Sequence, residues 1–535
     1  MPTWPSHPLI RRLRERLPPV EETLPAAAVF LACLALSGWL YHPIFAQITD
    51  HIVGDADTDA VRGMWGLDHL RRSLLPPDTP IWSKELNFPF GVLALVLPFV
   101  SGLLSTPLGL LAGPIAGFNL TMVLLVALAG WSTAVLGRTV ASSWAVGLAA
   151  GGAVMAQPML LHGVADGTPE HVAIWLLPLF LAATVHMLRH PSPEAGVLAG
   201  SLAVLVAADS PYHGIYAVVI AIFVLPGALA VGWRSHRRVV LLRAIGASLV
   251  PVVAGGIVLG LLYKNFPIDE QIGLQAKQLW KMNATDLHTW WQYDFGNRRA
   301  RDPSLAPTAI PAVVLWAGLG LGLVGAPRSL PWLAAGTFTL VLSVGLNDRI
   351  PAELAQWMGP SGSRWGARIL EANAALFELP GLGSIRFPRR WLIPSALCFA
   401  VAGSLGLGRL LQLARRPRVL RRPVAVFGPL LGLGLAIMAT RAGAQTARFH
   451  APFPAHALPD IAFTEWIQGH SGGGAMVLLP EMRPAPKSGK RGDLPVFASI
   501  ASSLSSADVQ YIQVLAGRPL LAYPSLKTLV PMKVD

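Results

Sequence analysis

Charged residues are scarce in this sequence, and their scarcity excludes a soluble protein. Asp, Glu, Lys and Arg make up 13% of the 535 residues, whereas a soluble protein carries about 25%. So few charges cannot cover the water-exposed surface of a chain of this length. Cysteine is scarce too. Cys33 and Cys398 both lie in apolar segments, which argues against a disulfide framework or a cysteine-based zinc site.

Other absences narrow the class of protein further. The chain has no Walker A motif, which argues against an ATP-driven pump, and it has neither GxSxG nor HExxH. Acidic residues are nearly missing from the middles of the apolar segments, whereas an ion-coupled transporter needs charge at the membrane midplane. The basic residues are spread over several short turns, so nucleic acid is not expected as a partner.

Apolar residues, in contrast, are abundant and come in long runs. They make up 53% of the chain, and the mean hydropathy is +0.51. Several runs reach about 18 residues or more with almost no charge, which predicts an all-α polytopic membrane protein. After a first run over 24–46, predicted to be an uncleaved signal anchor, the apolar segments are 115–136, 142–160, 171–187, 194–208, 212–232, 244–262, 308–325, 331–347, 391–411 and 424–441.

The distribution of arginine predicts the orientation in the membrane. We interpret the proline-containing segment 91–113 as lying at the interface or dipping in and out, which leaves about eleven spans. The N-terminus is then cytoplasmic and the C-terminus outside, and the inside loops hold most of the net charge of +13, as the positive-inside rule requires. The inside arginines are Arg11, Arg12, Arg14, Arg16, Arg138, Arg189, Arg234, Arg237, Arg238, Arg243, Arg328, Arg415, Arg416, Arg418, Arg421 and Arg422, against Glu15, Glu21, Glu22 and Glu194.

This topology divides the chain into three predicted domains of a protein of the bacterial inner (plasma) membrane. They are the basic cytoplasmic N-terminus (1–23), the membrane domain (24–441) with long outer loops at 46–90, 264–307 and 348–390, and the tail (442–535). The tail is predicted to be a small extracytoplasmic α/β domain. A buried strand is expected at 475–480 and a helix at 502–515.

Acidic residues cluster in three short stretches that this topology places outside. They are Asp55, Asp57 and Asp59 in the first loop, Asp166 and Glu170 with His171 in the second, and Asp209 with Tyr212 in the third. A carboxylate there could act as general base for an acceptor hydroxyl, or several could position a substrate or a hard divalent cation. The alternative is that these acids are simply solvated. The second and third loops are very short, which favours a functional site.

A short amphipathic helix is predicted directly after the first acidic cluster. From Val61 to Leu75 the apolar residues recur at close to helical spacing, and the charged residues occupy the remaining arc. Such a helix could lie flat on the outer leaflet, or it could pack beneath the protein's own loops. In either position it would hold the acidic turn against the membrane.

Three arginines precede the tenth predicted span on the outer side, against the positive-inside pattern. They are Arg386, Arg389 and Arg390. Guanidinium groups bind phosphate through paired hydrogen bonds, so this segment could hold a lipid phosphate beside an apolar helix. Ordinary anchoring to lipid headgroups is the alternative.

Four sequence patterns run along nearly the whole chain. They are Gly54-Asp55 with Asp59, Trp65 and NFPFG at 87–91; the turn of Gly167 and Glu170 before WLLP at 175–178; IRFPRR at 385–390; and VLLP at 477–480 with Gln513 and GRPL at 517–520. Together they resemble the GT-C superfamily of polytopic glycosyltransferases, in particular bacterial members related to the YfhO-like proteins. Because the chain ends soon after the last pattern, we expect the outer domain to be truncated.

The resemblance implies a GT-C-like fold and a lipid-linked sugar donor. A sugar would pass from a polyprenyl-phosphate donor in the lipid bilayer to an unknown acceptor on the extracytoplasmic face. An aspartate of the first loop would be the catalytic base, with Asp55 as the first choice, Asp59 as the second and Asp57 between them. Glu170 and Asp166 would bind metal or position the substrate.

The same resemblance assigns Arg386, Arg389 and Arg390 to the donor phosphate. A divalent cation, Mg²⁺ or Mn²⁺, would be held by Asp55 and Glu170. The sequence lacks the adjacent Asp-Glu pair of mannosyl- and aminoarabinose-transferring members, which leaves the choice of base and the metal dependence open. Two other functions compete with this one: a non-catalytic scaffold or accessory protein of envelope polysaccharide or lipid assembly, and a transporter.

Overall fold

A computed structural model gives the fold of the chain. It describes residues 20–54, 60–74, 82–83, 92–93, 98–235, 238–264, 280–281, 312–325, 327–379, 382, 385, 387–415, 418–447, 455–457, 480–482 and 497–499. The α-helices of this part are α1 (Val20–Leu40), α2 (Ala60–Ser73), α3 (Phe99–Ala141), α4 (Trp144–Met155), α5 (Pro158–Ala165), α6 (Pro169–Val172), α7 (Leu176–Arg189), α8 (Pro193–Asp209), α9 (Pro211–Ser235), α10 (Arg238–Lys264), α11 (Ala312–Val324), α12 (Leu330–Ser343), α13 (Ile350–Met358), α14 (Pro360–Phe377), α15 (Leu392–Ala414) and α16 (Arg418–Ala447). The strands are β1 (His51–Val53), β2 (Trp82–Ser83), β3 (Val92–Leu93), β4 (Ala455–Ala457), β5 (Pro480–Met482) and β6 (Phe497–Ser499), and short 3₁₀ helices cover His42–Gln47 and Pro388–Trp391.

The chain is a multi-pass membrane protein. In the described residues, six helical stretches are long and apolar enough to cross a membrane, and the bent pair α4 and α5 makes a seventh if it is one span. The six are Thr23–Leu40, Phe99–Ala141, Pro169–Arg189, Pro211–Arg234, Arg238–Leu261 and Pro388–Ala414. The expected count of about eleven also includes shorter apolar helices, such as α8 and α12.

The first part of the second of these stretches, Phe99–Ala141, folds back along the rest of it. Inside α3, Gly113 has a φ of +81°, outside the helical range, and Pro114 follows it. A Cβ atom on Gly117 would lie 2.5 Å from the Cα atom of Gly109, although eight residues of a straight helix rise about 12 Å. The part of α3 before the break therefore returns alongside the part after it. This geometry fits the prediction that segment 91–113 adds no crossing of its own.

Helix α15 forms the buried centre of the membrane domain. In the span that contains it, 94% of the most apolar stretch is buried inside the protein. Small residues let the neighbouring helices approach closely. A Cβ atom on Gly137 of α3 would lie 2.8 Å from the Cα atom of Gly147 in α4, and one on Gly325 would lie 2.9 Å from the backbone nitrogen of Gly406 in α15. The helices around α15 are thus in backbone contact.

Helix α2 is the amphipathic helix predicted over 61–75, and it packs inside the protein. Its apolar residues Met64 and Leu70 are fully buried, and Leu70 packs against Gly102 in the folded-back part of α3. Asp68 is also buried and accepts hydrogen bonds from Nε of both Arg71 and Arg72, each at 2.9 Å. Of the two placements considered for this helix, the structure shows the one beneath the protein's own chain.

A short sheet links the first loop to the tail. Strand β1 pairs antiparallel with β4, with His51 opposite Ala457 and Val53 opposite Ala455. Paired strands lie about 4.8 Å apart, so these two segments are on the same side of the membrane. The predicted topology requires this, because it places both the first loop and the tail outside.

The rest of the tail is described in part. Strands β5 and β6 pair antiparallel, with Glu481 opposite Ala498. The strand predicted at 475–480 overlaps β5 only at Pro480, and its other residues lie outside the described residues. The helix predicted at 502–515 lies outside them as well, so the α/β domain stays a prediction.

Candidate functional site

The turn that follows α5 lies at the centre of the candidate site. Its Gly167 has a left-handed φ of +60°, and a Cβ atom there would lie 2.7 Å from the carbonyl oxygen of Val53. Only glycine fits this position without displacing the backbone around it. Just before it, the Oδ2 atom of Asp166 lies 3.0 Å from Nε2 of His162, four residues earlier on the same face of the helix.

This second-loop turn contacts both flanks of the first acidic cluster. Gly54 has a φ of +124°, and a Cβ atom on it would lie 3.1 Å from the Cα atom of Gly167. On the other flank, Ala60 at the start of α2 also contacts Gly167. The acids themselves, Asp55, Asp57 and Asp59, lie outside the described residues. The two residues that bracket them are therefore both held at the second-loop turn.

Two of the three predicted phosphate-binding arginines lie at the same end of the helical bundle as the second-loop turn. The guanidinium carbon of Arg390 lies 4.5 Å from the ring centroid of Phe387 and 5.0 Å from that of Tyr212, and the guanidinium carbon of Arg389 lies 5.6 Å from the Phe387 ring. Such cation–π contacts hold a guanidinium group over an aromatic face. Arg386 is outside the described residues. The contact with Tyr212 places the arginine charge at the third loop.

Three histidines lie near Arg389 and Arg390, the two arginines that form the positive cluster. His162 and His213 are buried, and the ring of His171 is mostly buried. His171 packs against α5, because a Cβ atom on Gly163 would lie 2.8 Å from the Cβ atom of His171. The ring of His213 lies 5.9 Å from that of Tyr216, which in turn lies 5.1 Å from the ring of Trp391, the neighbour of Arg390. The second loop, the third loop and the arginine segment therefore meet, and an anion would be attracted strongly to this poorly hydrated place.

Asp209 has a different setting from the acids of the second loop. It is fully buried, and its carboxylate accepts hydrogen bonds from the backbone N–H and the hydroxyl of Ser101, both at 2.8 Å. Nε1 of Trp175 donates to the same hydroxyl at 2.9 Å. Because Ser101 lies in the first turn of α3, the carboxylate caps that helix where its dipole favours negative charge. This contact fixes the start of α3 to the third loop.

The acids near the cluster do not by themselves form a cation site. Within the described residues, no three His, Cys, Asp or Glu side chains are placed to hold a metal ion. Asp166 is paired with His162, and Oε1 of Glu170 lies 3.8 Å from Nε2 of His171. Mg²⁺ and similar cations take several oxygen ligands, so these two carboxylates would need further ligands from elsewhere.

Sequence reasoning missed His162 and His213. A signal existed for His162, because it stands four residues before Asp166 in a short helix and so shares a face with it. His213 directly follows Tyr212 in the third acidic stretch, but no role was predicted for it. Its place in the cluster depends on Arg390, which comes from a distant part of the chain.

Comparison with known proteins gives solved structures of similar fold. No protein-family model and no curated protein matches the chain. The structure is similar to the archaeal oligosaccharyltransferase AglB from Archaeoglobus fulgidus, solved with an inhibitory peptide and a dolichol-phosphate (TM-score 0.49, 13% identity, 93% of this chain and 64% of that chain covered). It is also similar to the mycobacterial arabinofuranosyltransferase AftD (TM-score 0.45, 16%, 92% and 32%) and to ArnT from Cupriavidus metallidurans bound to undecaprenyl phosphate (TM-score 0.41, 14%, 94% and 86%).

Two of these neighbours are thus named as an oligosaccharyltransferase and an arabinofuranosyltransferase, and the third was solved with undecaprenyl phosphate. The chain spans 64% of the length of the archaeal oligosaccharyltransferase chain. The likeness concerns the arrangement of the helices. It shows neither the reaction of this chain nor the role of any of its residues.

Proposed function

We propose that this chain is a membrane glycosyltransferase that moves a sugar from a polyprenyl-phosphate donor to an acceptor on the extracytoplasmic face. The observation that carries the proposal is the position of Arg389 and Arg390 at the third loop, where the guanidinium group of Arg390 contacts the ring of Tyr212. The buried His171 of the second loop lies near them. The flanks of the first-loop acids contact the same second loop. A sugar-phosphate donor needs both elements, cations for the departing phosphate and a base for the acceptor.

Arg389 and Arg390 would hold the donor phosphate, with Arg386 of the same segment as a third cation. Each guanidinium group can donate two parallel hydrogen bonds to phosphate oxygens. When the bond between the anomeric carbon and the phosphate oxygen breaks, its electron pair stays on that oxygen. The arginines would stabilise the added charge, with His171 and Tyr212 positioning the donor beside Arg390.

A first-loop aspartate would act as the general base, with Asp55 as the first choice, then Asp59 and Asp57. Its carboxylate takes the proton of the acceptor hydroxyl while the hydroxyl oxygen bonds to the anomeric carbon, on the face opposite the departing phosphate. This displacement inverts the configuration of that carbon. Glu170 and Asp166 would position the acceptor from the second-loop turn.

A divalent cation, Mg²⁺ or Mn²⁺, would need ligands from both loops. Asp55 and Glu170 are the proposed pair, because the described residues alone supply no group of three. No step above depends on the metal. Asp209, which caps α3, is assigned a structural role in place of substrate or metal positioning.

The proposed orientation follows from the arginine distribution. It places the cluster, the first loop and the tail outside, the N-terminus in the cytoplasm and about eleven spans in a bacterial inner membrane. The pairing of β1 with β4 supports the shared side of the first loop and the tail. The small α/β tail domain belongs to the same proposal.

Single substitutions in the full-length chain, assayed in membranes supplied with a polyprenyl-phosphate sugar, test the function. Arg389→Gln and Arg390→Gln should each lower kcat/KM about tenfold or more, because a hydrogen bond to a charged group contributes about 1.5–3 kcal/mol. Asp55→Asn should lower kcat by about 10²–10⁴-fold. Arg364→Gln and Asp348→Asn change exposed charges of the outer loop and are the matched controls.

The measured quantity is labelled sugar transferred per folded protein, with folding checked by size-exclusion chromatography in detergent. Full activity in the Asp55, Asp59, Glu170 and Arg390 variants would refute the catalytic assignment. That result would favour the competing function, a non-catalytic accessory protein of the cell envelope. Loss of transfer in the Arg364→Gln control as well would show that removal of an arginine outside the site has the same effect, and it would also refute the assignment.

A further inference from the structure

A positively charged cavity lies at the opposite end of the helical bundle from the candidate site. Helices α7, α9 and α15 all begin near the positive cluster, and their later residues Arg189, Val231 and Leu405 line this cavity. Helix α7 alone has 14 residues, which separates its ends by about 20 Å. The cavity is therefore a separate site, and the inference below does not depend on the proposed function.

The cavity combines a charged part with an apolar wall. It encloses about 460 Å³. Arg189 and Arg328 supply the charge, and Val224, Val231 and Trp332 belong to the apolar wall. Val231 is 60% exposed on the surface of the membrane domain, so this wall continues onto the surface that lipid chains cover. A site for a soluble anion needs only the charged part, whereas a site for a lipid needs both.

Two arginines define the charged part. Nη1 of Arg189 donates a hydrogen bond to the backbone carbonyl of Thr139 at 2.5 Å, which fixes the guanidinium group at the end of α3. Arg328, from the loop before α12, lines the same cavity and brings a second positive charge to it. Like charges repel each other more strongly where water is partly excluded. An anion placed between the two arginines would be attracted by both of them, and these two attractions would offset the repulsion.

An adjoining cavity extends the site. It encloses about 570 Å³, shares Ser142 and Arg328 with the first cavity, and adds Arg409 and Gln412. Arg328 therefore lies where the two cavities meet. Together they offer room and hydrogen-bond donors for a polar headgroup next to the phosphate position.

We propose that the cavity between Arg189 and Arg328 binds an anionic phospholipid, with the phosphate between the two guanidinium groups and an acyl chain along Val224 and Val231. The arginine distribution predicts that this end of the bundle faces the cytoplasm, and basic pockets between membrane helices on that side bind anionic lipid headgroups. The bound lipid would join the ends of α3 and α7 to the loop before α12, far from the positive cluster.

Native mass spectrometry of the full-length chain in detergent, with dioleoyl-phosphatidylglycerol added, tests the proposal. The double variant Arg189→Gln/Arg328→Gln should bind this lipid about tenfold more weakly than the unaltered chain. Arg234→Gln removes an exposed arginine at the same end that does not line the cavity, and it should bind normally. Phosphatidylcholine has no net charge and inorganic phosphate has no acyl chain, so both should bind weakly to every variant.

Three results would overturn the proposal. They are equal phosphatidylglycerol binding by the double variant and the Arg234→Gln control, preference for phosphatidylcholine, and inorganic phosphate binding as tight as that of the lipid. If the double variant misfolds, Gly227→Leu gives a second test that leaves the charge unchanged. A Cβ atom on Gly227 would meet only Pro331, at 3.7 Å, so the larger side chain can enter the cavity. This variant should also lose the lipid, and normal binding would refute the apolar part of the site.

Discussion

The substitution Gly167→Ala should separate the second-loop turn from the first loop. Gly167 has a φ of +60°, and a left-handed backbone costs a residue with a Cβ atom about 1–2 kcal/mol. The added atom would lie 2.7 Å from the carbonyl oxygen of Val53 and 2.6 Å from the Cα atom of Ala60, so the backbone must move. Overpacking of this kind costs about 1–3 kcal/mol. The two effects together predict a loss of about 2–5 kcal/mol in the free energy of unfolding.

Thermal unfolding in detergent measures this loss, and Gly320→Ala is the matched control because a Cβ atom on Gly320 meets nothing within 4 Å. Gly167→Asn separates the two causes. Asn tolerates the left-handed backbone better than Ala but also carries a Cβ atom, so it should still be clearly less stable than the unaltered chain. Sugar transfer by Gly167→Ala should fall at a temperature where the variant is folded. Unchanged stability and transfer in Gly167→Ala would refute the close contact between the loops.

Two further substitutions test the contacts that hold the site in place. Asp209→Ala should lower the free energy of unfolding by about 1–3 kcal/mol, because the two donors of Ser101 lose their buried acceptor. Thermal unfolding measures this loss, and a melting curve equal to that of the exposed control Asp348→Ala would contradict the capping role. Asn119→Leu should cost about 2–4 kcal/mol and loosen the first loop, because the Asn119 amide donates to two backbone carbonyls of that loop and accepts from one of its N–H groups. Limited proteolysis should then cut the first loop faster, and an unchanged cleavage rate would speak against this anchor.

The sequence by itself determined that this is a helical membrane protein and where many of its helices lie. Apolar segments predicted at 212–232 and 244–262 fall within α9 and α10, and the one predicted at 391–411 begins one residue before α15. The reason is local, because a long apolar run inside a bilayer must satisfy its backbone hydrogen bonds within itself, and a helix does so. The periodicity over 61–75 predicted α2 in the same way, to within two residues at either end. The sequence also singled out the residues Arg389 and Arg390, since charge at the membrane surface is conspicuous in a chain with so little of it.

Only the tertiary structure decided which loops meet and what each acid does there. Asp166 and Asp209 look alike in the sequence, each an acid in a short outer loop. The first pairs with a histidine four residues away, whereas the second caps a helix through Ser101, 108 residues away. His213 likewise lies near the positive cluster only because the 3₁₀ helix before α15 brings Arg390 to the ring of Tyr212 in the third loop. Segment periodicity reports which face of one helix is buried, but not which helix covers it. That choice depends on the close backbone contacts between helices. The packing of the helices therefore decided which loops meet at the candidate site.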